Sequence, residues 1–341
     1  TRIEYITIRG GVTTENGGAI LCQWGSSPVI RGCIFEDNVT FGSGGAIAVE
    51  YDSSPEINNC TFLGNGAEGY GGAVVVRNSA TVELASCWFR FNAAIAGGAV
   101  AASEQGDLTV VWSIFDRNEA LWGGAMMSYA GGALTVLEST LARNSGFTGV
   151  KAEQAFEATS LRDVTPFLPG DKAQAGGGGV FCGDSSTVAI DASIIAFSLM
   201  GEAVLCDSTS SAAVTCSDLF GNLGGDWLGC LEGQFGVDGN ISADPLFCNT
   251  TPEDLYLAEN SPCGIDSPEP GCDYMGALPV ECGLSPVVQP ETLPTLTALH
   301  AAFPNPLNAG TTLAFDLHKP GRVSLVVFDI SGRRVAGLID G

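Results

Sequence analysis

Histidine and lysine are almost absent from this chain. Among 341 residues there are two histidines and three lysines, and both histidines, His300 and His318, lie near the C-terminal end. A site built on imidazole, as metal ligand or as proton shuttle, has nothing to draw on before position 300. Basic residues number 14 against 38 acidic ones, for a formal charge of −24. A free-standing nucleic-acid binder carries the opposite balance, so that class is excluded. Zinc-ligand spacings, phosphate-binding loops and dinucleotide fingerprints are missing too, since the glycine pairs lack a strand–turn–helix setting. The longest uncharged stretch, 120–137, is broken by Gly123, Gly124, Gly131 and Gly132, so no membrane helix is expected.

What is present points elsewhere. Apolar residues make up 45% and the mean hydropathy is +0.24, which no disordered acidic tail would show. The length suits two domains or one elongated array. Twelve cysteines, an even number, fit an oxidising compartment and an exported protein.

A repeat sets the architecture. Gly-Gly-Ala followed by an aliphatic residue or Met starts at Gly17, Gly44, Gly71, Gly97 and Gly123, with variants at Gly177 and Gly201. The first four steps are 27, 27, 26 and 26 residues. Columns then recur at fixed offsets. Ile30, Ile57, Leu84, Val110, Val136, Ile190 and Val214 share one. Cys33, Cys60, Cys87, Ser113, Ser139, Ser193 and Ser217 share the next. Phe35, Phe62, Phe89, Phe115, Leu141, Ile195 and Leu219 form a third, and Asn38, Asn65, Asn92, Asn118, Asn144, Ser198 and Asn222 a fourth. Apolar residues within each copy alternate at spacing two, which is strand periodicity. Three strands and three turns per repeat predict an all-β chain, a right-handed parallel β-helix of seven to eight coils. At the strand spacing the rod would be on the order of 40 Å long. Phe should stack coil over coil, and Asn should form an inward ladder, because its amide both donates and accepts. Ile6, Ile8 and Gly11 fill the last slots of a preceding copy, so an upstream segment is expected.

The cysteine column alternates with serine, so it selects a small residue rather than a bridge. Cys22, Cys182 and Cys206 lie in another inward column, where Cys182 and Cys206 fall on adjacent coils and are candidates for a bond. Cys216, Cys230, Cys248, Cys263, Cys272 and Cys282 lie in a loop-rich region and are the stronger disulfide candidates.

The paired motifs, such as Gly44-Gly45-Ala46-Ile47 with Phe62-Leu63-Gly64-Asn65, resemble the repeats of chlamydial polymorphic outer membrane proteins and related bacterial β-helix surface proteins. That resemblance implies a cell-surface adhesin. Segment 240–282, with Ile241-Ser242-Ala243-Asp244-Pro245-Leu246-Phe247 and Asn260-Ser261-Pro262-Cys263, is similar to the closing section of secreted bacterial β-helix proteins. It should cap the last coil. After Phe303-Pro304-Asn305-Pro306, the alternating residues to 341 resemble the C-terminal sorting module of type IX secretion and the Ig-like domain of hook-capping proteins, here cut short. The expected organisation is a β-helix over 1–247 with an excursion loop at 146–175, a Cys-rich cap at 248–283, a Pro-rich linker at 284–296 and a partial module at 297–341.

Two sets of residues are candidates for function. Outward columns include Val75, Met127 and Phe181 in one stripe and Trp88 and Ile114 in another. Two apolar stripes on a rod would serve as a contact surface for a glycan or a surface protein. Arg90, Arg117 and Arg143 lie beside the Asn turn on successive coils. A polysaccharide lyase would use an arginine as base, with Ca²⁺ bridging an acidic sugar to an acidic cluster. The leading expectation is a monomeric, non-enzymatic binding protein without a cofactor; a lateral-face lyase or glycosidase and an inert spacer are the alternatives.

Overall fold

A computed structural model of the chain describes residues 1–146, 176–248, 254–264, 272 and 274–284. It also describes the strands Ala298–Leu299, Phe315–Asp316, Ser324–Phe328 and Arg334–Asp340. The chain divides into two compact units, 1–285 and 286–341. The first is a parallel β-helix. Four sheets run along it, and every coil contributes one strand to most of them. On the second coil these are Val29–Arg31 (sheet I), Ile34–Glu36 (sheet II), Val39–Thr40 (sheet III) and Ile47–Val49 (sheet IV). Sheets I and II hold eight strands each, sheet III six and sheet IV seven. All their pairings are parallel and in the register of the repeat, as in Phe62↔Phe35 and Phe62↔Phe89. In the second unit, Ala298–Leu299 pairs antiparallel with Phe315–Asp316, and Ser324–Phe328 with Arg334–Asp340. Among the described residues no helix is long and apolar enough to cross a membrane.

The coil has one strand more than its periodicity suggests. Sheet III follows the Asn turn, and on the second coil it is only two residues long. Two residues are too few to show an alternating pattern, and the longer strands Gly66–Tyr70 and Ala93–Ala96 are made largely of Gly and Ala, which give no apolar–polar contrast. Their strand geometry comes instead from the backbone ladder, with Val39 N–H donating to Gly11 O at 2.8 Å and Gly66 N–H to Asn38 O at 2.9 Å.

Inside, like stacks on like. Phe35, Phe62, Phe89 and Phe115 are fully buried, and their rings stack at 5.0, 4.6 and 4.4 Å with interplanar angles of 7° or less. Each buried ring contributes about 1.5–3 kcal/mol. The Asn column is a continuous ladder. Asn65 Nδ2 donates to Asn92 Oδ1 at 3.0 Å and to Phe35 O at 2.9 Å, and Asn65 N–H donates to the same Asn92 oxygen at 3.0 Å. The serine column does the same through hydroxyls: Cys87, Ser113 and Ser139 N–H each donate to the Oγ of the next coil's serine at 3.1 Å. Small residues suffice there because the side chain only has to reach a backbone amide one strand away. At the Gly pair, Gly71 has φ 64°, and a Cβ on Gly72 would lie 2.2 Å from Gly98 O, so two coils meet backbone to backbone.

Sheet I passes directly from Val136 to Ile190, and sheet II from Leu141 to Ile195. The expected loop at 146–175, with Lys151 and Lys172, lies outside the described residues except for Gly146, and the linker at 284–296 does so except for Leu284.

The end of the rod is sealed one segment earlier than expected. Leu231 is fully buried in the main core, with Trp227 and Cys230 packed against it. Gln234 caps the last sheet I strand, accepting from Val214 N–H at 2.8 Å and donating to Ala212 O at 3.0 Å. Asp226 closes the Asn column and Asn240 closes the Ser column. Beyond it, Phe247, Leu255, Leu257 and Met275 instead pack on the outside of sheet II, against Ile114 and Ile194.

Three disulfides join Cys206 to Cys230, Cys216 to Cys272 and Cys248 to Cys282. Cys182 and Cys206 are in-register neighbours but are not bonded to each other. Parallel side chains on adjacent strands point the same way and do not converge, whereas Cys230 approaches Cys206 from the end cap. Cys22, Cys33, Cys60, Cys87, Cys182 and Cys263 remain buried thiols.

The Asn ladder can be tested by an isosteric change. Asn92→Asp replaces an amide that donates to Phe62 O and Asn118 Oδ1 with an acceptor. It should lower the unfolding free energy by about 3 kcal/mol or more in urea titrations. The exposed Asn59→Asp should stay within about 0.5 kcal/mol of the parent.

Candidate functional site

The stripe on sheet IV points outward but is not open. Ala48, Val75, Ala101, Met127 and Phe181 are all buried and form a second apolar cluster with Ala96. Tyr70, Trp122, Tyr129 and Leu205 pack over it, and the Trp122 ring meets Phe181 edge-on at 5.2 Å. The expectation that Val75, Met127 and Phe181 present a free surface is therefore corrected. Aromatic side chains from the ends of the sheet III and sheet IV strands take that place.

The stripe on sheet II is half open. Ile34 is 42% exposed and Trp88 half-buried, but Ile114, Thr140 and Ile194 are 1% exposed. Phe247, Leu255, Leu257 and Met275 of the outer segment cover them. Gly276 N–H donates to Ala192 O at 2.8 Å and Ala277 N–H to Thr140 Oγ1 at 3.0 Å. Ile114 is thus removed from any external contact, and Trp88 sits where the cover ends. Further along, Asp218 occupies the same outward column and is fully buried. Its carboxyl accepts from Ala243 N–H at 3.0 Å and from the Cys263 thiol at 3.3 Å. Burial pushes its pKa up to about 7, with Asp226 and Asp244 adding to the rise and the two hydrogen bonds opposing it. The Cys263 thiol is pushed well above its ordinary range by burial and by Asp218.

At the open end of sheet II the structure brings the three arginines together. Arg90 ends one strand, Asp116 is its in-register partner on the next coil, and Arg117 and Arg143 stand at the following corners. Asp116 is 1% exposed. Arg143 Nε donates to its Oδ1 at 2.7 Å; Arg90 and Arg117 reach Oδ2 at 3.2 and 3.3 Å. The three guanidiniums converge from three coils on one buried carboxylate, among other interactions. Phe91, 47% exposed, lies beneath two of them, 5.7 Å from Arg90 Cζ and 5.8 Å from Arg117 Cζ. On the opposite rim of sheet II, Trp112 is 53% exposed and its indole donates to Glu138 at 2.6 Å. Trp88 and the arginines, which belong to different sequence patterns, thus share one face.

Sequence reasoning missed Asp116, Phe91 and Trp112. The signal for Asp116 was its position one coil beyond Arg90, opposite in charge and in register. Among the described residues, no group of three or more His, Cys, Asp or Glu side chains is arranged to hold a metal ion.

A family model described as the right handed beta helix region matches residues 2–115. No curated protein and no solved structure matches the chain. The matched segment covers the first coils, up to the Phe115 that ends the aromatic stack. The fold is a right-handed parallel β-helix.

Asp218 makes stability depend on pH in a stated direction. Its folded pKa of about 7 lies above the ordinary 3.8, so the unfolded chain releases this proton first. The contribution is complete below pH 4 and is lost as pH rises to about 7, for a total of about 4 kcal/mol. Asp218→Asn should remove this slope, giving a protein whose melting temperature at pH 8 exceeds the parent's. Calorimetry of both proteins between pH 4 and 8 checks it.

Proposed function

We propose that this chain is an exported β-helix protein that binds glycans on its lateral face without converting them. The convergence of Arg90, Arg117 and Arg143 on Asp116, beside the half-exposed Phe91, carries the reading. Guanidinium groups are planar forks that pair bidentately with carboxylates, and here a rigid parallel sheet and a buried acid set their spacing. A ligand that meets donors already in place loses less entropy on binding. The ring of Phe91 offers an apolar face beside them. A glycan carrying carboxylate groups combines both features. The chain's charge of −24 works against polyanions at long range, so affinity should depend on ionic strength and on divalent cations such as Ca²⁺.

The same residues are less suited to proton abstraction. A base needs a nitrogen free to take a proton, while each guanidinium here is ion-paired to the buried Asp116. The disulfides support an oxidising location outside the cytosol. The repeat resemblance supports display on a bacterial surface, and the C-terminal resemblance supports type IX export.

Isothermal titration with oligogalacturonate or oligoalginate tests the reading. Arg117→Ala should weaken binding by about tenfold or more, the loss of one charge-assisted contact. Arg117→Lys should recover part of it. Absence of binding to every acidic glycan overturns the ligand class. Unsaturated uronate released by the parent but not by Arg117→Ala overturns the non-enzymatic part.

A further inference from the structure

A second aromatic feature lies away from the arginine cluster, at the corner between sheets IV and I. Trp24 and Tyr51 occupy the same position on successive coils. Their rings are parallel within 6° at 4.3 Å, and Trp24 is 76% exposed. Both residues have left-handed backbone, φ 58° and 51°. The same left-handed corner on later coils is filled by Asn78, Glu104, Ala130 and Asp184. Asn and Asp tolerate that conformation at little cost, whereas a bulky aromatic side chain is strained there. An unfavourable residue at a repeated corner persists when something else determines it. Mutual stacking explains why the rings are ordered. It does not explain why Trp24 stands in water at that corner over a half-buried Tyr51.

The surroundings fix the pair rigidly. Gly25 N–H donates to Tyr51 O at 3.0 Å, and Ser54 N–H to Ser26 O at 3.1 Å. Beneath, the Glu50 carboxylate is 1% exposed and accepts from Asn16 Nδ2 at 2.8 Å, Gln23 Nε2 at 3.0 Å and Arg77 Nε at 2.8 Å. The rim is hydroxylic and acidic: Ser26, Ser27, Asp52 and Ser54 are exposed around the rings. Arg77, the cation beside Glu50, is ion-paired to it, so the corner offers no obvious counter-charge to an anionic ligand. A protein partner would need a wider apolar patch than two rings edged by serines. A flat aromatic face with hydroxyls and amides at its border matches a neutral sugar ring, whose C–H face packs on the ring while its hydroxyls meet the rim.

We propose that Trp24, backed by Tyr51, is a stacking platform for a neutral pyranose residue of a glycan chain. This rests on the reading that the protein binds carbohydrate, at a place and for a sugar charge different from the arginine cluster.

The test uses the full chain labelled with nitrogen-15, whose five tryptophans give separate indole signals. Trp24→Phe identifies the Trp24 signal. Cellohexaose, mannohexaose, xylohexaose and chitohexaose are titrated in turn. The expected result is a saturable shift of the Trp24 signal with at least one of them, at least tenfold weaker affinity in Trp24→Ala, and unchanged affinity in Arg117→Ala. Circular dichroism and melting of Trp24→Ala, whose side chain lies outside the core, confirm that it is folded. No shift with any neutral oligosaccharide overturns the proposal, as does binding that survives Trp24→Ala. Retained acidic-glycan binding in either case leaves the arginine reading standing. Neutral binding through Trp24 with no acidic binding overturns that reading and keeps this one.

Discussion

The described coils of this protein are held together mainly by backbone hydrogen bonds to the coil before and the coil after. A parallel strand cannot fold back on its predecessor, so each turn of chain must travel a full coil before it meets a partner. That constraint dictates the columns. A residue is copied at a fixed offset because its neighbour along the rod is its own counterpart. Interior residues must therefore satisfy themselves. Phe rings stack face on face, and Asn passes its amide hydrogens to the next Asn while accepting from the last. Side chains that only donate or only accept would leave buried atoms unpaired on every coil.

A self-templating column has to end. The chain ends it with residues that accept from the last coil and, where they donate, turn back onto that coil or into the cap. Asp226 receives the last Asn, Asn240 receives the last Ser, and Gln234 satisfies the last strand of sheet I. Disulfides then pin the segments beyond the final coil, where the repeat no longer supplies register. The thiols inside the repeat stay reduced for the complementary reason: the ladder already fixes them, and neighbouring side chains run parallel rather than converging.

The interior was legible in the sequence because it is periodic. Phe62 and Asn65 could be read from their counterparts 27 residues away. The outward direction of Val75, Met127 and Ile114 was equally legible, since alternation fixes it. Their exposure was not. Tyr70 and Trp122 cover sheet IV from a sheet III column that Ala96 interrupts, and Phe247 and Met275 cover sheet II from outside the repeat. Such contacts are tertiary and happen once, so no repetition announces them. The fourth strand escaped for a related reason: it is two residues long on some coils and made largely of Gly and Ala on others, so no apolar–polar contrast marks it. In the candidate site, the arginines were visible as near-neighbours at the turn. Asp116 was not, because its own column runs Glu36, Leu63, Arg90, Asp116 and Ala142 without a shared chemistry.

That contrast separates scaffold from specificity in a solenoid. A column that repeats serves the rod, because the same demand recurs at every level. A residue that departs from its column answers a demand made once. Asp116 is acidic where its neighbours along sheet II are not, and it gathers three cations across three coils. Trp24 and Tyr51 are aromatic where later coils place small or polar residues. Asp218 is a carboxyl in a column of Ile114, Thr140 and Ile194, and it meets the outer segment. In each case the departure lies on the outward side, where the ladder makes no claim on the side chain. The parallel fold therefore leaves its lateral faces free to vary while its interior cannot.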